Sequence, residues 1–378
     1  MNKNSISILK SGEKLNLAIF FGGRSSEHEV SLNTANNVIE AINKNLYNII
    51  LVGITQEGRW VTGENAEKML QGKSFKINEE VYIPADPFSF RLAVIDKEEN
   101  GKKNKYLEKI DVALPLLHGH YGEDGTIQGL FEMAGIPYVG AGVAASAVGM
   151  DKILMKNILI ANRVPVVKSV HFTRKDWERD KDYLLKVLKD SFEMPVFAKP
   201  ANTGSSVGIT KVKNFTDLPG AVEFAAEFDM KILIEQGIDA REIEVSVLGN
   251  FEPAASVPGE VIPGREFYDY EAKYLDAGSE LKIPAPLDNN MIQKIREMAL
   301  VAFKALDCSG MARVDMFLEQ GTDNLYVNEI NTIPGFTAIS MYPKLWEATG
   351  IKYSDLISKL IELAIDRWEE KQKNRTFL

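Results

Sequence analysis

Four polar side chains interrupt two apolar runs near the C-terminus, and their types are those of a charged reaction site. Arg313 and Asp315 lie two residues apart in GMARVDMF, and Glu329 and Asn331 lie two apart in VNEIN. Residues two apart on a strand point to one face, and the intervening EQGTDN supplies the turn residues that let two strands pair. We therefore expect the four side chains to share one patch. An ordinary pair of structural ion pairs is the alternative.

The residue types in this patch favour a metal–nucleotide site. Two carboxylates and an amide oxygen form a hard-oxygen set that suits Mg²⁺, which takes few protein ligands together with phosphate oxygens. Mn²⁺ fits the same donors. An arginine beside them stabilises negative charge that develops on a transferred group. The patch therefore predicts a magnesium–nucleotide site, which needs phosphate-binding parts elsewhere in the chain.

Candidate phosphate-binding parts lie upstream. AKPANTGSSVG places Lys199 at a predicted strand end, five residues before the GSSVG loop of residues 204–208. Glycines let backbone N–H groups approach phosphate, and serine hydroxyls add donors, although such a hairpin alone is most often a turn. No Walker A sequence is present, so a P-loop is excluded. Lys152, on a predicted helix, and Glu235, at the end of KILIEQ, complete the candidates.

Two other patterns are interpreted as decoys. VGAGVAAS (139–146) fits a dinucleotide-binding pattern, but several strands precede it and no acidic residue ends a suitable strand about twenty residues later. His118 and His120 resemble a zinc pair, but no third ligand with metal spacing lies nearby. We expect one of these histidines to position an anionic substrate, with a satisfied loop histidine as the alternative.

Alternating strands and helices must position these residues. LNLAIFF, NIILVGIT, RLAVID and DVALPLL predict buried strands of an open α/β unit that ends near residue 140, with a helix through residue 44. A second unit begins with one helix around SAVGMDKILMKNILIANR and contains the strands PVVKSV, PVFAKP, GITKV and KILIEQ. The third begins near residue 240 with the alternating strand EIEVSVLG and closes with helices through residue 371.

Bulk properties narrow the function classes. A chain of 378 residues is too long for one compact domain. The formal net charge of −9 argues against a nucleic-acid binder. Cys308 is the only cysteine, which excludes an intrachain disulfide and favours a reducing cytosol. The N-terminus lacks the apolar core of a signal peptide, and no apolar window is long enough for a membrane span, so we expect a cytoplasmic protein without a membrane partner.

Together these motifs resemble the D-alanine–D-alanine ligases of the ATP-grasp superfamily. The resemblance runs from about residue 15 to about 365 and rests on these motifs: GGRSSEHEVS, LHGHYGEDGTIQG, AVGMDKILMKN, AKPANTGSSVG, FYDYEAKY, GMARVDMF and VNEINTIPGFTAIS. It implies an α/β (α+β), three-domain ATP-grasp architecture. Residues 1–140 would form an N-terminal open α/β substrate-binding domain. Residues 141–239 would form the central ATP-grasp domain and 240–378 the C-terminal one with the magnesium site, with ATP held between them.

The resemblance also implies a role for each candidate residue. The nucleotide would be bound by Lys152, Lys199, Ser206, Glu235, Ile238, Glu242 and Lys273. Two magnesium ions would be bound by Asp315, Glu329 and Asn331, with Glu329 bridging them. For the first D-alanine, Glu27 would bind the ammonium group and His118 would lie nearby. Arg313 and the Gly335 N–H would stabilise the oxyanion, and Ser340 would bind the carboxylate of the second D-alanine. Ser205 and Tyr274 would complete the catalytic set.

The implied reaction forms a D-alanyl phosphate from ATP, which the amine of a second D-alanine attacks, in peptidoglycan precursor synthesis. Glu27, Ser205 and Tyr274 resemble a hydrogen-bonded trio, and tyrosine at position 274 favours D-alanine over D-lactate as acceptor. The alternatives are a ligase for D-lactate or D-serine, a non-catalytic nucleotide-binding regulator, or an NAD-dependent oxidoreductase. A silent regulator would be expected to have lost Arg313, Asp315 or Glu329, and all three are present. The family also leads us to expect a homodimer.

Overall fold

The computed structural model describes residues 13–77, 79–96, 105–262 and 280–375. Its N-terminal part is built around a sheet in which β1 is buried on both faces, as expected of a parallel strand. The elements of this part are β1 (Leu15–Gly22), α1 (His28–Ala41), β2 (Tyr47–Ile54), β3 (Trp60–Thr62), α2 (Gly63–Leu70), β4 (Glu79–Tyr82), β5 (Arg91–Asp96), β6 (Lys105–Lys109), β7 (Val112–Pro115) and α3 (Thr126–Met133). The strand order is β3-β2-β1-β7, and β4-β5-β6 form a separate antiparallel sheet.

The middle part carries a four-stranded sheet, here called the central sheet, with the order β10-β9-β11-β8. Its elements are α4 (Val143–Met150), α5 (Lys152–Ala161), β8 (Ser169–Thr173), α6 (Arg174–Arg179), α7 (Lys181–Ser191), β9 (Val196–Pro200), β10 (Thr210–Val212), a 3₁₀ turn (Phe215–Asp217), α8 (Leu218–Phe228) and β11 (Lys231–Gln236). Helix α8 packs its apolar face against β9 and β11, which leaves the opposite side of these strands for polar side chains.

The last part contains an antiparallel sheet, the C-terminal sheet, with the order β15-β14-β12-β16-β17 and β13 paired to β12. Its elements are β12 (Ala240–Gly249), β13 (Ala254–Ala255), β14 (Gly259–Ile262), β15 (Glu280–Lys282), α9 (Asn289–Ala305), β16 (Gly310–Glu319), β17 (Leu325–Asn331), α10 (Met341–Ala348) and α11 (Tyr353–Lys371). One face of β12 and β16 packs on α9 through buried apolar residues such as Val245, Val314 and Phe303. The other face of these strands is therefore available for polar residues.

One predicted helix is wrong. The sequence predicted a single helix around residues 146–163, whereas the structure has α4 and α5 with a break at Asp151, whose backbone is extended (φ −85°, ψ 100°). The Asp151 carboxylate accepts hydrogen bonds from the backbone N–H groups of Ile153 (3.0 Å) and Leu154 (3.1 Å) and so caps α5. Aspartate stabilises such a cap better than a helix interior, which explains the break.

Two smaller predictions also need correction. The first helix ends at Ala41 rather than near residue 44, and the strand predicted at PVVKSV begins only at Ser169. The charged run DKEENGKKNK (96–105), which predicts a solvated loop, lies mostly outside the described residues. Within the described ranges, no helix combines the length and the apolar character that crossing a bilayer requires.

Helix α11 ties the last part of the chain to residues 135–140, where the N-terminal part ends. The Arg367 guanidinium donates to the carbonyl oxygens of Tyr138, at 2.9 Å, and of Gly140, and it lies over the Tyr138 ring at 4.5 Å from the centroid. Trp368 Nε1 donates to the Gly135 carbonyl at 2.7 Å. Three backbone carbonyls that precede α4 are thus satisfied by side chains from the last helix, and we call these contacts the C-terminal clasp.

Candidate active site

The predicted pairing of β16 and β17 is confirmed. Arg313 lies opposite Asn331 and Asp315 opposite Glu329, with a bulge directly after Asp315. Arg313 donates from Nε to Asp315 Oδ1 at 2.7 Å and from a terminal nitrogen to Oδ2 at 2.6 Å, and Asn331 Nδ2 donates to the same Oδ2 at 2.9 Å. The ion pair considered as the alternative is therefore present within the polar patch itself.

A further carboxylate in this patch, Glu244, was missed. It lies on β12 directly opposite Asp315, and its Oε2 is 3.0 Å from Arg313 Nε. Burial lowers the pKa of the Arg313 guanidinium, but the carboxylates of Asp315 and Glu244 outweigh burial and hold that pKa well above its ordinary value. The signal was available, because Glu242 and Glu244 are two apart in the alternating strand and share a face.

The GSSVG loop contacts the start of helix α1. Ser205 Oγ donates to Glu27 Oε1 at 2.5 Å. Ser205 and Ser206 both have positive φ, 47° and 58°, a region that non-glycine residues seldom occupy. Thr203 Oγ1 donates to the Val207 carbonyl at 3.0 Å, which supports this backbone from inside the loop. The predicted contact of Glu27 with Ser205 is therefore present, in a loop held away from its relaxed conformation.

Two buried lysines flank the carboxylate of Glu235. Lys199 Nζ lies 2.5 Å from Glu235 Oε1, and Lys156 Nζ lies 2.5 Å from Oε2. Burial raises the pKa of Glu235, but the two ammonium groups outweigh it and lower the pKa to about 2. Lys156 was not among the predicted residues, although it lies four residues after Lys152 and hence on the same side of α5. Lys152 Nζ donates to the carbonyl of Thr203 at 2.6 Å.

His118 is buried between the N-terminal sheet and the loop that follows β17. Its Nδ1 lies 3.2 Å from the Ile333 carbonyl, and its Nε2 lies 3.3 Å from the Thr34 hydroxyl. That hydroxyl donates to the Val30 carbonyl, so both ring nitrogens of His118 face acceptors. Burial lowers the pKa of His118, but the neighbouring Glu123 carboxylate outweighs it and the pKa is raised. The ring is thus suited to carry positive charge beside an anion.

Two adjoining cavities bring these groups together. The first, of about 620 Å³, is lined among others by Glu27, His118, Arg313, Asn331, Gly335 and Ser340. The second, of about 490 Å³, is lined among others by Lys199, Ser206, Glu235, Ile238, Glu242 and Asp315. Both cavities are lined by Lys152, Gly204, Ser205, Glu244 and Glu329. Every predicted site residue that the structure describes therefore lines one or both cavities.

Two of the remaining predicted residues, Gly335 and Ser340, lie close together. The Ser340 hydroxyl lies 2.8 Å from the Thr337 hydroxyl and accepts from the Thr337 N–H at 3.1 Å. A Cβ at Gly335 would lie 3.2 Å from Ser340 Oγ, so the glycine permits this close approach. Lys273 and Tyr274 lie outside the described residues.

Known sequences share this arrangement of motifs along the chain. Residues 16–141 match the model of the D-ala D-ala ligase N-terminus, and residues 158–362 match that of the C-terminus. The D-alanine–D-alanine ligase of Natranaerobius thermophilus is 46% identical over 365 residues, which cover 96% of this chain and 98% of that one. The ligase of the same name from Acetivibrio thermocellus is 47% identical over 372 residues, covering 96% and 99%. The chain belongs to the D-alanine–D-alanine ligase family.

Solved structures support the same assignment to the D-alanine–D-alanine ligase family. The VanG D-Ala:D-Ser ligase from Enterococcus faecalis is 37% identical with a TM-score of 0.82, over 93% of this chain and 100% of that one. The D-alanine–D-alanine ligase from Coxiella burnetii is 37% identical with a TM-score of 0.78, over 95% and 96%. The predicted α/β, α+β fold of the ATP-grasp type is therefore confirmed, as is an ATP-dependent ligase.

Proposed function

We propose that the protein joins two molecules of D-alanine, using ATP, and releases D-alanyl-D-alanine, ADP and phosphate for peptidoglycan precursor synthesis. The observation that carries this proposal is the junction of the two cavities, where Lys152, Ser205 and Glu329 line both cavities and Arg313 and Glu27 line the first. A reaction between a carboxylate and a polyphosphate brings negative charges together, so it needs cationic groups at such a junction. The sequence relatives support D-alanine as the substrate, because they are named for that reaction.

The polar patch of the C-terminal sheet fits Mg²⁺. Asp315, Glu329 and Asn331 offer two carboxylates and one amide oxygen on neighbouring positions of paired strands. This hard-oxygen set leaves coordination positions for phosphate oxygens, as Mg²⁺ prefers. We propose that these three residues would hold two such ions. Mg²⁺ bound there neutralises charge on the ATP phosphates, and Mn²⁺ is expected to replace it.

The first step activates the carboxylate of one D-alanine. An oxygen of that carboxylate attacks the γ-phosphorus of ATP, the bond from phosphorus to the bridging oxygen breaks, and ADP leaves. Lys152 and Lys199 are proposed to neutralise the phosphates, and the backbone of the GSSVG loop is proposed to cover them. Glu27 is proposed to bind the ammonium group of this D-alanine, beside the Ser205 hydroxyl that contacts it at 2.5 Å.

The second step forms the peptide bond. The amine of the second D-alanine attacks the carbonyl carbon of the acyl phosphate, and the carbon–oxygen bond to phosphate breaks as the nitrogen loses its proton. Arg313 and the Gly335 N–H are proposed to stabilise the oxyanion, and Ser340 to bind the acceptor carboxylate. His118, which lines the first cavity with Arg313, is proposed to act on the first substrate. Positioning and charge neutralisation suffice for both steps, because neither needs a protein nucleophile.

The nucleotide is proposed to lie in the second cavity, between the central and C-terminal sheets. Ser206, Glu235, Ile238 and Glu242 line this cavity, which agrees with the nucleotide roles proposed for them. Lys273, which lies outside the described residues, is also proposed to bind the nucleotide. The proposed domains 1–140, 141–239 and 240–378 are supported by the sheets, since each sheet is built from strands of a single range.

Product analysis tests this function and its acceptor. The purified protein is incubated with ATP, Mg²⁺ and D-alanine, alone or with D-serine or D-lactate, and products are identified by mass. We expect dipeptide from D-alanine alone and little mixed product, because Tyr274 favours D-alanine. The VanG neighbour is a D-Ala:D-Ser ligase, so a preference for D-serine would overturn the acceptor. Glu329→Gln is the control, and an absence of D-alanine-dependent phosphate release from the wild type would contradict the reaction.

Two further properties are part of the proposal. A cytoplasmic location is supported by Cys308, which is a buried free thiol. Cell fractionation tests the location. A homodimer is proposed from the family resemblance alone, and sedimentation velocity of the purified protein tests it.

A further inference from the structure

Three carboxylates lie in a row across three adjacent strands at the junction of the cavities. Glu244 on β12 is opposite Asp315 on β16, which is opposite Glu329 on β17. The strand register thus places three negative groups on one face, where directly opposite Cβ atoms are about 5 Å apart. Arg313 is the cation that meets this row, and its side chain is only 16% exposed. The three carboxylates therefore differ in their contacts with Arg313, and we consider the role of each.

Arg313 is shared unequally between two of these carboxylates. Its Nε is 2.7 Å from Asp315 Oδ1 and 3.0 Å from Glu244 Oε2. Asp315 also accepts a hydrogen bond from Asn331 and is a proposed metal ligand. Its carboxylate oxygens would therefore be shared among Arg313, Asn331 and the metal. Glu244 and Asp315 lie opposite each other on paired strands, and both carboxylates lie within 3.0 Å of Arg313 Nε. Glu244 thus adds a second carboxylate contact at Nε, beside the two hydrogen bonds that Arg313 donates to Asp315.

We propose that Glu244 is a positioning residue, whose carboxylate fixes the Arg313 guanidinium toward the reacting carbonyl while Asp315 serves the metal. This inference rests on the proposed function and deepens it. Arginine has five donors in a planar fork, so a second carboxylate that contacts Nε limits rotation of that plane. A displacement of about 1 Å at a reacting group can cost roughly a hundredfold in rate. Glu244 lines both cavities, but the role that we assign to it is exerted through Arg313.

The first test compares Glu244→Ala with Glu244→Gln, using Glu252→Gln as the control because Glu252 is exposed on the same sheet's edge loop. We expect Glu244→Ala to lower kcat by roughly a hundredfold and to leave the KM for ATP within about threefold. Glutamine retains an oxygen that can lie beside Nε, so Glu244→Gln is expected to recover kcat to within about tenfold of the wild type. An unchanged kcat in Glu244→Ala would overturn the inference.

A binding measurement separates positioning from metal ligation. Mn²⁺ binding is followed by electron paramagnetic resonance in the presence of a non-hydrolysable ATP analogue. We expect Glu244→Gln to leave Mn²⁺ affinity within about threefold, whereas Asp315→Asn should weaken it at least tenfold. An equal loss in both variants would make Glu244 a metal ligand and overturn the inference. This readout does not depend on turnover, and dipeptide formation by the wild type tests the proposed function separately.

A double-variant cycle tests whether Glu244 acts through Arg313. We expect Glu244→Ala to add less than about threefold to the kcat loss already caused by Arg313→Lys, because the group that it positions is altered in both. A multiplicative, hundredfold further loss would show an independent role and overturn the inference. Should Glu244→Ala fail to fold, Glu244→Asp takes its place. Its carboxylate is one methylene shorter, and we expect it to lose more activity than Glu244→Gln.

Discussion

The polar patch of the C-terminal sheet and the contact of Ser205 with Glu27 are built in opposite ways. In the patch, Arg313 and Asp315 are two residues apart on one strand, and Asn331 reaches Asp315 across the pair. The Ser205–Glu27 contact joins residues 178 positions apart, and neither lies in a helix or strand. Register holds the first arrangement, whereas the second depends on how distant segments pack. We infer that the patch is preorganised and that the loop contact is the part able to move.

Backbone strain marks the same difference. Ser205 and Ser206 both occupy the left-handed region, at a cost of roughly 1–3 kcal/mol for each such residue. The patch residues on β16 and β17 have the regular register of paired strands apart from one bulge. A strained loop can relax when a ligand leaves, whereas paired strands cannot change register without turning side chains to the other face. Substitutions in the two regions should therefore affect different kinetic parameters.

The largest effect is expected for Arg313→Lys. Lysine keeps the charge between Asp315 and Glu244 but lacks the planar fork, so we expect kcat to fall by roughly 10²- to 10³-fold with little change in the KM for ATP. Steady-state kinetics and a melting curve measure this. A kcat within tenfold of the wild type, in a folded variant, would contradict a preorganised patch centred on this side chain.

A smaller effect is expected for the loop contact. Ser205→Ala removes the hydrogen bond to Glu27 but keeps the strain, and we expect kcat/KM for D-alanine to fall by about tenfold. Ser205→Gly removes the same bond, and glycine adopts the positive φ without strain. We therefore expect the same tenfold loss of kcat/KM as in Ser205→Ala, together with a higher stability. Initial rates and thermal unfolding of both variants decide this. Equal stability of the two would show that strain at residue 205 is unimportant.

A third substitution concerns the buried lysines. Lys156→Met leaves Glu235 with Lys199 alone, so we expect the KM for ATP to rise a few-fold and the free energy of unfolding to fall by roughly 2–3 kcal/mol. Lys156→Arg is the matched control and should retain most of both. Urea unfolding and ATP titration provide the measurements. A wild-type KM and stability in Lys156→Met would mean that Lys156 does not support Glu235.

The same substitution should change the response to acid. Glu235 has its pKa lowered from 4.5 to about 2, so its contribution to stability is full above about pH 4.5 and is lost as the pH falls toward 2. With one of the two ammonium groups removed, the pKa of Glu235 should lie closer to its ordinary value. Lys156→Met should therefore lose that contribution at higher pH than the wild type, as unfolding followed between pH 7 and 3 would reveal. Superimposable pH profiles would contradict this cause.

The smallest effect on activity is expected for Arg367→Ala. It removes the contacts of Arg367 with Tyr138, Gly140 and Ser309, none of which belongs to the patch or the GSSVG loop, so kcat should stay within about twofold while the free energy of unfolding falls by roughly 2–3 kcal/mol. Arg179→Ala removes an exposed ion pair with Asp176 and serves as the control, with little expected change. Differential scanning calorimetry compares them. A large loss of kcat in Arg367→Ala would connect the clasp to the site.

Strand-borne residues were the ones that sequence could predict. Alternation in GMARVDMF and VNEIN placed four side chains on one face, and the pairing followed from the turn between them. The same alternation places Glu244 of EIEVSVLG on the polar face of its strand, but the sequence alone does not show that this strand pairs with β16. The capping of α5 by Asp151, which divides the predicted helix, depends on a local hydrogen bond that periodicity does not show. The contact of Ser205 with Glu27 came only from family resemblance, because packing between distant loops leaves no local pattern.

The clasp also sets an order of events during synthesis of the chain. Arg367 follows its partner Gly140 by 227 residues. At about 5–20 residues per second, the ribosome needs roughly 11 to 45 s to make that stretch. The carbonyls of residues 135–140 must wait that long for the side chains that satisfy them. A nascent chain that stops before Arg367 carries the GSSVG loop and the whole polar patch. The carbonyls of residues 135–140 in that chain still lack the side chains of α11 that satisfy them.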